Sequence, residues 1–137
     1  MPFTVALPVQ DRRVAHDFYR RVLDLETVGS EIADDGLPEP LQFALGPDVT
    51  LMLIPRDGFG FVSADHEVAP DGVSECLLAL GVATPAEVDA VTERVRSAGT
   101  AVKVEPGDPG WGYQSTFTDP DGHLWEVIHN PTLADNA

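Results

Sequence analysis

Cysteine is almost missing from this chain: Cys76 stands alone among 137 residues. That excludes an internal disulfide and a cysteine-rich zinc site. Basic residues are scarce as well. Eight Lys and Arg face 23 Asp and Glu, for a formal net charge of −15. Such a surface repels polyanions, which excludes nucleic acid and an anionic membrane surface as partners. No apolar run approaches the roughly 20 residues of a membrane span. Met1-Pro2-Phe3-Thr4 has no basic segment followed by a long apolar one, so no secretory signal is expected. With the single cysteine, this predicts a cytoplasmic protein. Also absent are a nucleophile beside a base, a phosphate-binding glycine loop and a dinucleotide fingerprint.

What is present begins with the acidic excess. It reads as a solvated shell, or as an acidic rim that collects a cationic ligand. The most informative stretch is Thr118 to Ile128. Asp119-Pro120-Asp121-Gly122 has turn chemistry at every position, with Pro presetting φ, Asp bonding its own backbone and Gly accepting positive φ. The strand after it carries a carboxylate among apolar residues: Glu126 shares a face with Leu124 and Ile128. A buried carboxylate must be paired, hydrated or bound to something.

In chain order, Phe3 to Val9 alternates like a strand with Phe3, Val5, Leu7 and Val9 toward a core. Asp11 caps a helix reaching about Leu23, with Val14, Ala15, Phe18, Tyr19, Val22 and Leu23 as its apolar stripe. Strands are expected near Glu26–Ala33, Leu41–Leu45 and Thr50–Ile54, separated by turn residues. Pro55 to Gly72 reads as a long irregular connector, a lid or linker. A strand follows over Val73–Ala83. Thr84-Pro85-Ala86-Glu87 then opens a second helix with a capping box, its stripe formed by Val88, Val91, Val95 and Ala98, and Gly99 ends it. Further strands are expected near Ala101–Glu105, Tyr113–Thr118 and His123–His129, then a polar, frayed tail after Pro131.

The fold class is therefore α+β: strand, helix, three strands, twice over. Asp11 and Thr84 lie about 73 residues apart, marking a structural repeat of roughly half the chain. We read residues 1–137 as one domain, with repeat one over about 3–54, a connector over 55–72 and repeat two over about 73–130. Two βαβββ units with helices on their outer faces would curve mixed sheets around a cavity, the natural ligand site.

Leu7-Pro8-Val9-Gln10-Asp11 with Ala15-His16-Asp17-Phe18-Tyr19, and Phe117 to Val127, resemble the two signatures of the vicinal oxygen chelate superfamily. This is the glyoxalase, bleomycin-resistance and extradiol-dioxygenase group, and the pattern resembles its metal-poor glyoxalase-like branch. The resemblance implies the paired-repeat fold, a homodimer and four positions that hold a divalent metal in metal-dependent members. At three of these the chain offers Thr4, Met52 and Leu77, none of them a ligand; Glu126 alone matches. No cofactor is thus expected beyond a divalent metal held weakly by Glu126, with Glu75 as a possible second carboxylate if its strand is regular.

Around Glu126, the candidate ligand-binding residues are Glu75, Gln114 and Thr116 by strand parity, Trp111 between two glycines, and Arg56 and Phe59 beside the connector. Trp111 and Phe59 offer aromatic faces to a planar or cationic ligand, or serve as hydrophobic plugs. Trp125 has the opposite parity to Glu126 and is expected in the core. Two functions remain. One is small-molecule binding in a sheet-lined cavity, such as sequestration of a cationic drug. The other is a lyase or isomerase acting beside a carbonyl, with Glu126 as general base or metal ligand. A third reading is structural, with Glu126 satisfied by a backbone or Arg partner.

Overall fold

The order of elements follows from caps and periodicity. The computed structural model describes residues 1–134. Strand β1 (Phe3–Val9) leads to helix α1 (Arg12–Arg21), then β2 (Leu41–Gly46), β3 (Val49–Pro55) and helix α2 (Arg56–Val62). Next come β4 (Leu78–Gly81), α3 (Pro85–Ala98), β5 (Val102–Gly107), β6 (Tyr113–Thr118), β7 (Leu124–His129) and a short α4 (Pro131–Ala134). The chain divides into two compact units, Met1–Val68 and Ala69–Ala137. The boundary lies inside the expected connector. Among the described residues, no helix is long and apolar enough to cross a membrane.

Helices α1 and α3 start where their capping residues dictate. Asp11 accepts hydrogen bonds from the backbone N–H of Arg13 and Val14. Thr84 accepts from Glu87, with Pro85 at the first helical position, and Glu87 Oε2 reaches back to the Ala83 N–H at 3.1 Å. The capping box is therefore shifted by one residue at its return bond.

In the first unit the sheet order is β1-β3-β2, with β1 parallel and β2 antiparallel to β3. Its core holds Leu7, Val9, Ala15, Phe18, Tyr19, Val22, Phe43, Leu51 and Leu53, all buried. The stripe of α1 is narrower than expected: Val14 is 50% exposed, because buried positions follow Ala15, Phe18, Tyr19 and Val22. Phe3 is also exposed, at the start of its strand.

The expected strand over Glu26–Ala33 does not form. It is reduced to single bridges, Thr27 with Phe43 and Ile32 with Pro38. Gly29 at φ +92° turns the chain between them, and the Asp34-Asp35-Gly36 turn is held by arginines of α1. Arg12 Nε bonds Asp35 Oδ2 at 2.9 Å, and Arg13 donates to the Asp35 carbonyl at 2.8 Å. These bonds favour a clasped loop over a continuous ladder. The expected irregular connector contains a helix, since Arg56–Val62 forms α2 against β1 and β3.

In the second unit the order is β4-β7-β6-β5, with β4 parallel to β7 and the other pairs antiparallel. Helix α3 packs on β5, β6 and β7. Its buried residues are Val88, Val91, Thr92 and Val95, while Ala98 is exposed in the last turn. Strand β4 is much shorter than the expected Val73–Ala83 segment. Only Leu78–Gly81 pairs with β7, and Val73 to Leu77 is exposed, non-strand chain. The expected frayed tail begins instead with α4; residues 135–137 lie outside the described residues.

Candidate functional site

The turn before β7 is built from the residues that announced it. Asp119 is 2% exposed, and its Oδ1 accepts from the N–H of Asp121 at 2.9 Å and of His123 at 2.8 Å. Gly122 has φ +82°, and a Cβ there would stand 2.6 Å from the Gly72 backbone nitrogen. Only glycine meets both demands. The turn delivers β7 into a register that sets Glu126 opposite Thr116 of β6 and beside Ala79 of β4.

Residues facing each other across paired strands share one side of the sheet. Glu126, Thr116, Gln114, Ile128, Ala79 and Gly81 therefore share one face. Trp125, Val127, Phe117, Ser115 and Tyr113 share the other, which carries α3. Two small neighbours on β4, Ala79 and Gly81, leave the Glu126 side of that strand without bulky side chains.

Glu126 is 8% exposed. Among the described residues its carboxyl has no hydrogen-bond or ion-pair partner. Burial pushes it above its usual value, and no opposite charge pulls it back. The neighbouring polar groups on this face are similarly uncommitted. No partner engages Thr116 Oγ1 or Gln114 Nε2 among the described residues. Gln114 Oε1 does have one: it accepts from the Trp111 indole N–H at 2.8 Å.

The loop carrying Trp111 is a defined structure. Asp108 Oδ1 accepts from the N–H of Gly110 at 2.8 Å and of Gly112 at 3.2 Å. Asn130 Nδ2 donates to the Trp111 carbonyl at 2.7 Å. Gly112 has φ +142°, and a Cβ would lie 2.9 Å from the His129 carbonyl oxygen. An exposed indole is thus tied at its ring nitrogen and its backbone. Asp108 and Asn130 were not among the residues expected here; the Asp-Pro-Gly turn signal covers the first, and nothing in the pattern announces the second.

The opposite face shows what completed pairing looks like. Thr92 Oγ1 donates to the Val88 carbonyl at 2.8 Å and, having spent its proton, accepts from Ser115 Oγ at 2.7 Å. Tyr113 donates to Asp89 Oδ1 at 2.6 Å, and His129 Nδ1 donates to the Val82 carbonyl at 3.2 Å. Trp125 is 1% exposed on this side, in the core as parity requires.

The remaining expected site residues lie on other elements. Glu75 stands in an exposed bend before β4, so the regular strand that would align it with Glu126 is absent. Arg56 and Phe59 lie on α2 of the first unit, whereas Trp111, Gln114, Thr116 and Glu126 belong to the second. Of the positions a metal would need, Leu77 precedes β4, and the register sets Ala79 beside Glu126. In the first unit Thr4 faces Thr50, and Met52 lies between Ala6 and Gln42. Among the described residues no group of three or more His, Cys, Asp or Glu converges to hold a metal. In the second sheet the register flanks Glu126 with Ala79 and Thr116, neither of them a strong metal donor.

The model of the Glyoxalase/Bleomycin resistance protein/Dioxygenase superfamily matches residues 3–127. Among solved structures, the chain is similar to hypothetical protein SA1046 from S. aureus, with 28% identity, TM-score 0.75, and coverage of 94% of this chain and 91% of that one. It is similar in fold to a glyoxalase-related enzyme from Fulvimarina pelagi, with 23% identity, TM-score 0.79, and coverage of 96% and 88%. It is also similar to TnmS3, an antibiotic binding protein from Streptomyces sp. CB03234, with 26% identity, TM-score 0.66, and coverage of 95% of each chain. No protein of curated function matches the chain.

Proposed function

This chain belongs to the Glyoxalase/Bleomycin resistance protein/Dioxygenase superfamily, and from that premise we propose that it binds a small organic cation on the Glu126 face of its second sheet, without a tightly held catalytic metal. The observation that carries the reading is a carboxyl that is 8% exposed and unpaired among the described residues. Burying a charge without a partner is costly, and a bound cation supplies the missing partner. The exposed Trp111 indole adds a face for a planar or cationic group. The net charge of −15 favours approach of a cation. Similarity to an antibiotic binding protein supports sequestration of such a compound. Thermal unfolding with a panel of cationic aromatic compounds tests this. The melting temperature should rise with some of them in the native chain and not in Glu126→Gln. A panel that shifts neither protein rejects the reading.

A second reading rests on the raised carboxyl value. Burial makes Glu126 a stronger base than a surface glutamate, suited to taking a proton from carbon beside a carbonyl. The electron pair would move onto the carbonyl oxygen to give an enediolate, the hydroxyl proton would pass to that oxygen, and Glu126, after exchange with solvent, would return a proton to the former carbonyl carbon, an isomerisation that needs no redox partner. NMR of α-hydroxycarbonyl compounds in deuterated water checks it: native chain should exchange and isomerise them, and Glu126→Gln should not.

A further inference from the structure

The three polar groups on the Glu126 face differ in kind, and their arrangement specifies more than a cation. An indole nitrogen is a donor only. Its partner on Gln114 must therefore be the amide oxygen, which fixes the orientation of the amide and leaves the Nε2 donors unspent among the described residues. Glu126 by contrast is an acceptor when ionised. The two lie on one face, because Gln114 pairs with Ile128 and Thr116 pairs with Glu126. They are diagonal neighbours on adjacent strands, about 7–8 Å apart. Asp108, Asn130 and two glycines hold Trp111, so the group that orients Gln114 is itself anchored.

Resting on the cation-binding reading above, we infer that the site selects a bipolar ligand: a cationic nitrogen for Glu126 and, about 7–8 Å away, a carbonyl-type acceptor for the Gln114 amide. Thr116, directly opposite Glu126, offers a hydroxyl beside the cationic end. Trp111 acts here as a positioning residue. It spends the Gln114 oxygen and thereby presents the amide as a donor. A site with unspent donors discriminates against ligands that leave them unpaired, because those donors lose water without replacement.

The test uses three para-substituted benzylamines of similar size. They are 4-(aminomethyl)benzamide, which carries the acceptor; 4-methylbenzylamine, which lacks it; and 1,4-xylylenediamine, which replaces it with a second ammonium. Affinities are measured by NMR titration of the full chain. The native protein should bind the benzamide about fivefold more tightly than 4-methylbenzylamine. In Gln114→Glu, which keeps an oxygen for Trp111 and replaces the donor, that preference should vanish and the diamine should become the tightest of the three. Trp111→Phe, which frees the amide to turn, should reduce the benzamide preference toward onefold while 4-methylbenzylamine still binds. If the native chain binds these amines and Gln114→Glu keeps the benzamide preference, the bipolar assignment is overturned and cation binding stands. If the native chain binds none of them, while its near-ultraviolet circular dichroism is that of a folded protein, the cation reading fails and this inference with it.

Discussion

The two faces of the second sheet are made from alternating residues of the same strands, yet they end in opposite states. On the α3 face each polar side chain named above is paired: Thr92 with Val88 and Ser115, Tyr113 with Asp89, and His129 with Val82. On the other face Glu126, Thr116 and the Gln114 amide nitrogen have no partner among the described residues. Folding completes the first set of hydrogen bonds and leaves the second set unspent among the described residues, the set that the proposed cation site would use. The difference separates residues that stabilise the unit from residues proposed to meet a ligand.

That separation can be broken by substitution, and the largest effect belongs to the packed face. Trp125→Ala removes a side chain that is 1% exposed beneath α3. It should cost about 3–5 kcal/mol in urea unfolding, as large-to-small core changes do. A loss under 1 kcal/mol would mean that the α3 face is not the stabilising one. Next comes Glu126→Gln, which should lower affinity for a bound organic cation at least tenfold, about 1.4 kcal/mol, by titration calorimetry. It should leave the unfolding midpoint intact or raised. A variant that unfolds easily would place Glu126 among the structural residues and erase the contrast.

Two smaller effects sharpen the boundary. Thr92→Val keeps the shape and removes the hydroxyl, leaving Ser115 buried with one partner fewer. A loss of about 1–2 kcal/mol in stability, with cation binding unchanged, is expected from the unmet hydrogen bond. Thr84→Ala, at the α3 cap, should cost about 1 kcal/mol and also spare binding.

The smallest effect is in pH. The folded Glu126 carboxyl lies above its usual value near 4.5, so the folded state holds a proton that the unfolded state has released. Stability should therefore fall slightly as pH rises from about 4.5 through the folded value, and Glu126→Gln should remove that slope. Cation affinity should move the other way and rise over the same window, as the carboxyl ionises. In the first unit Asp35 has the opposite sign. The Arg12 guanidinium and the Leu37 N–H hold its carboxyl at about 2, so its contribution is present at neutral pH and is lost as pH falls from 3.8 toward that value. Unfolding curves of the native chain and Glu126→Gln from pH 4 to 8 isolate the Glu126 part.

Much of this was legible beforehand. Asp11 and Thr84 mark helix starts by local chemistry, and the helices begin there. Alternation alone separates Glu126 from Trp125, since a strand turns successive side chains to opposite faces. The errors lie where a local signal competed with a distant partner. Glu26–Ala33 has strand character, but Arg12 and Arg13 clasp the turn that follows it. Val73–Leu77 reads as strand, yet β7 offers its partners only to Leu78–Gly81. The Pro55–Gly72 segment is rich in glycine and still makes a helix over Arg56–Val62, packed on β1 and β3. The expected alignment of Glu75 with Glu126 rested on the same strand, which does not form at residue 75.

By itself the sequence determined the repeated strand-helix plan, the Asp119–Gly122 turn and the side of β7 on which the carboxylate stands. These follow from backbone preferences and from a period of two, which neighbours in the chain suffice to impose. Only the tertiary structure decided that Ala79 sits beside Glu126, that Trp111 takes the oxygen of Gln114, and which polar groups are left unpaired. Register and hydrogen-bond saturation depend on residues far apart in the chain, whose meeting no local pattern specifies.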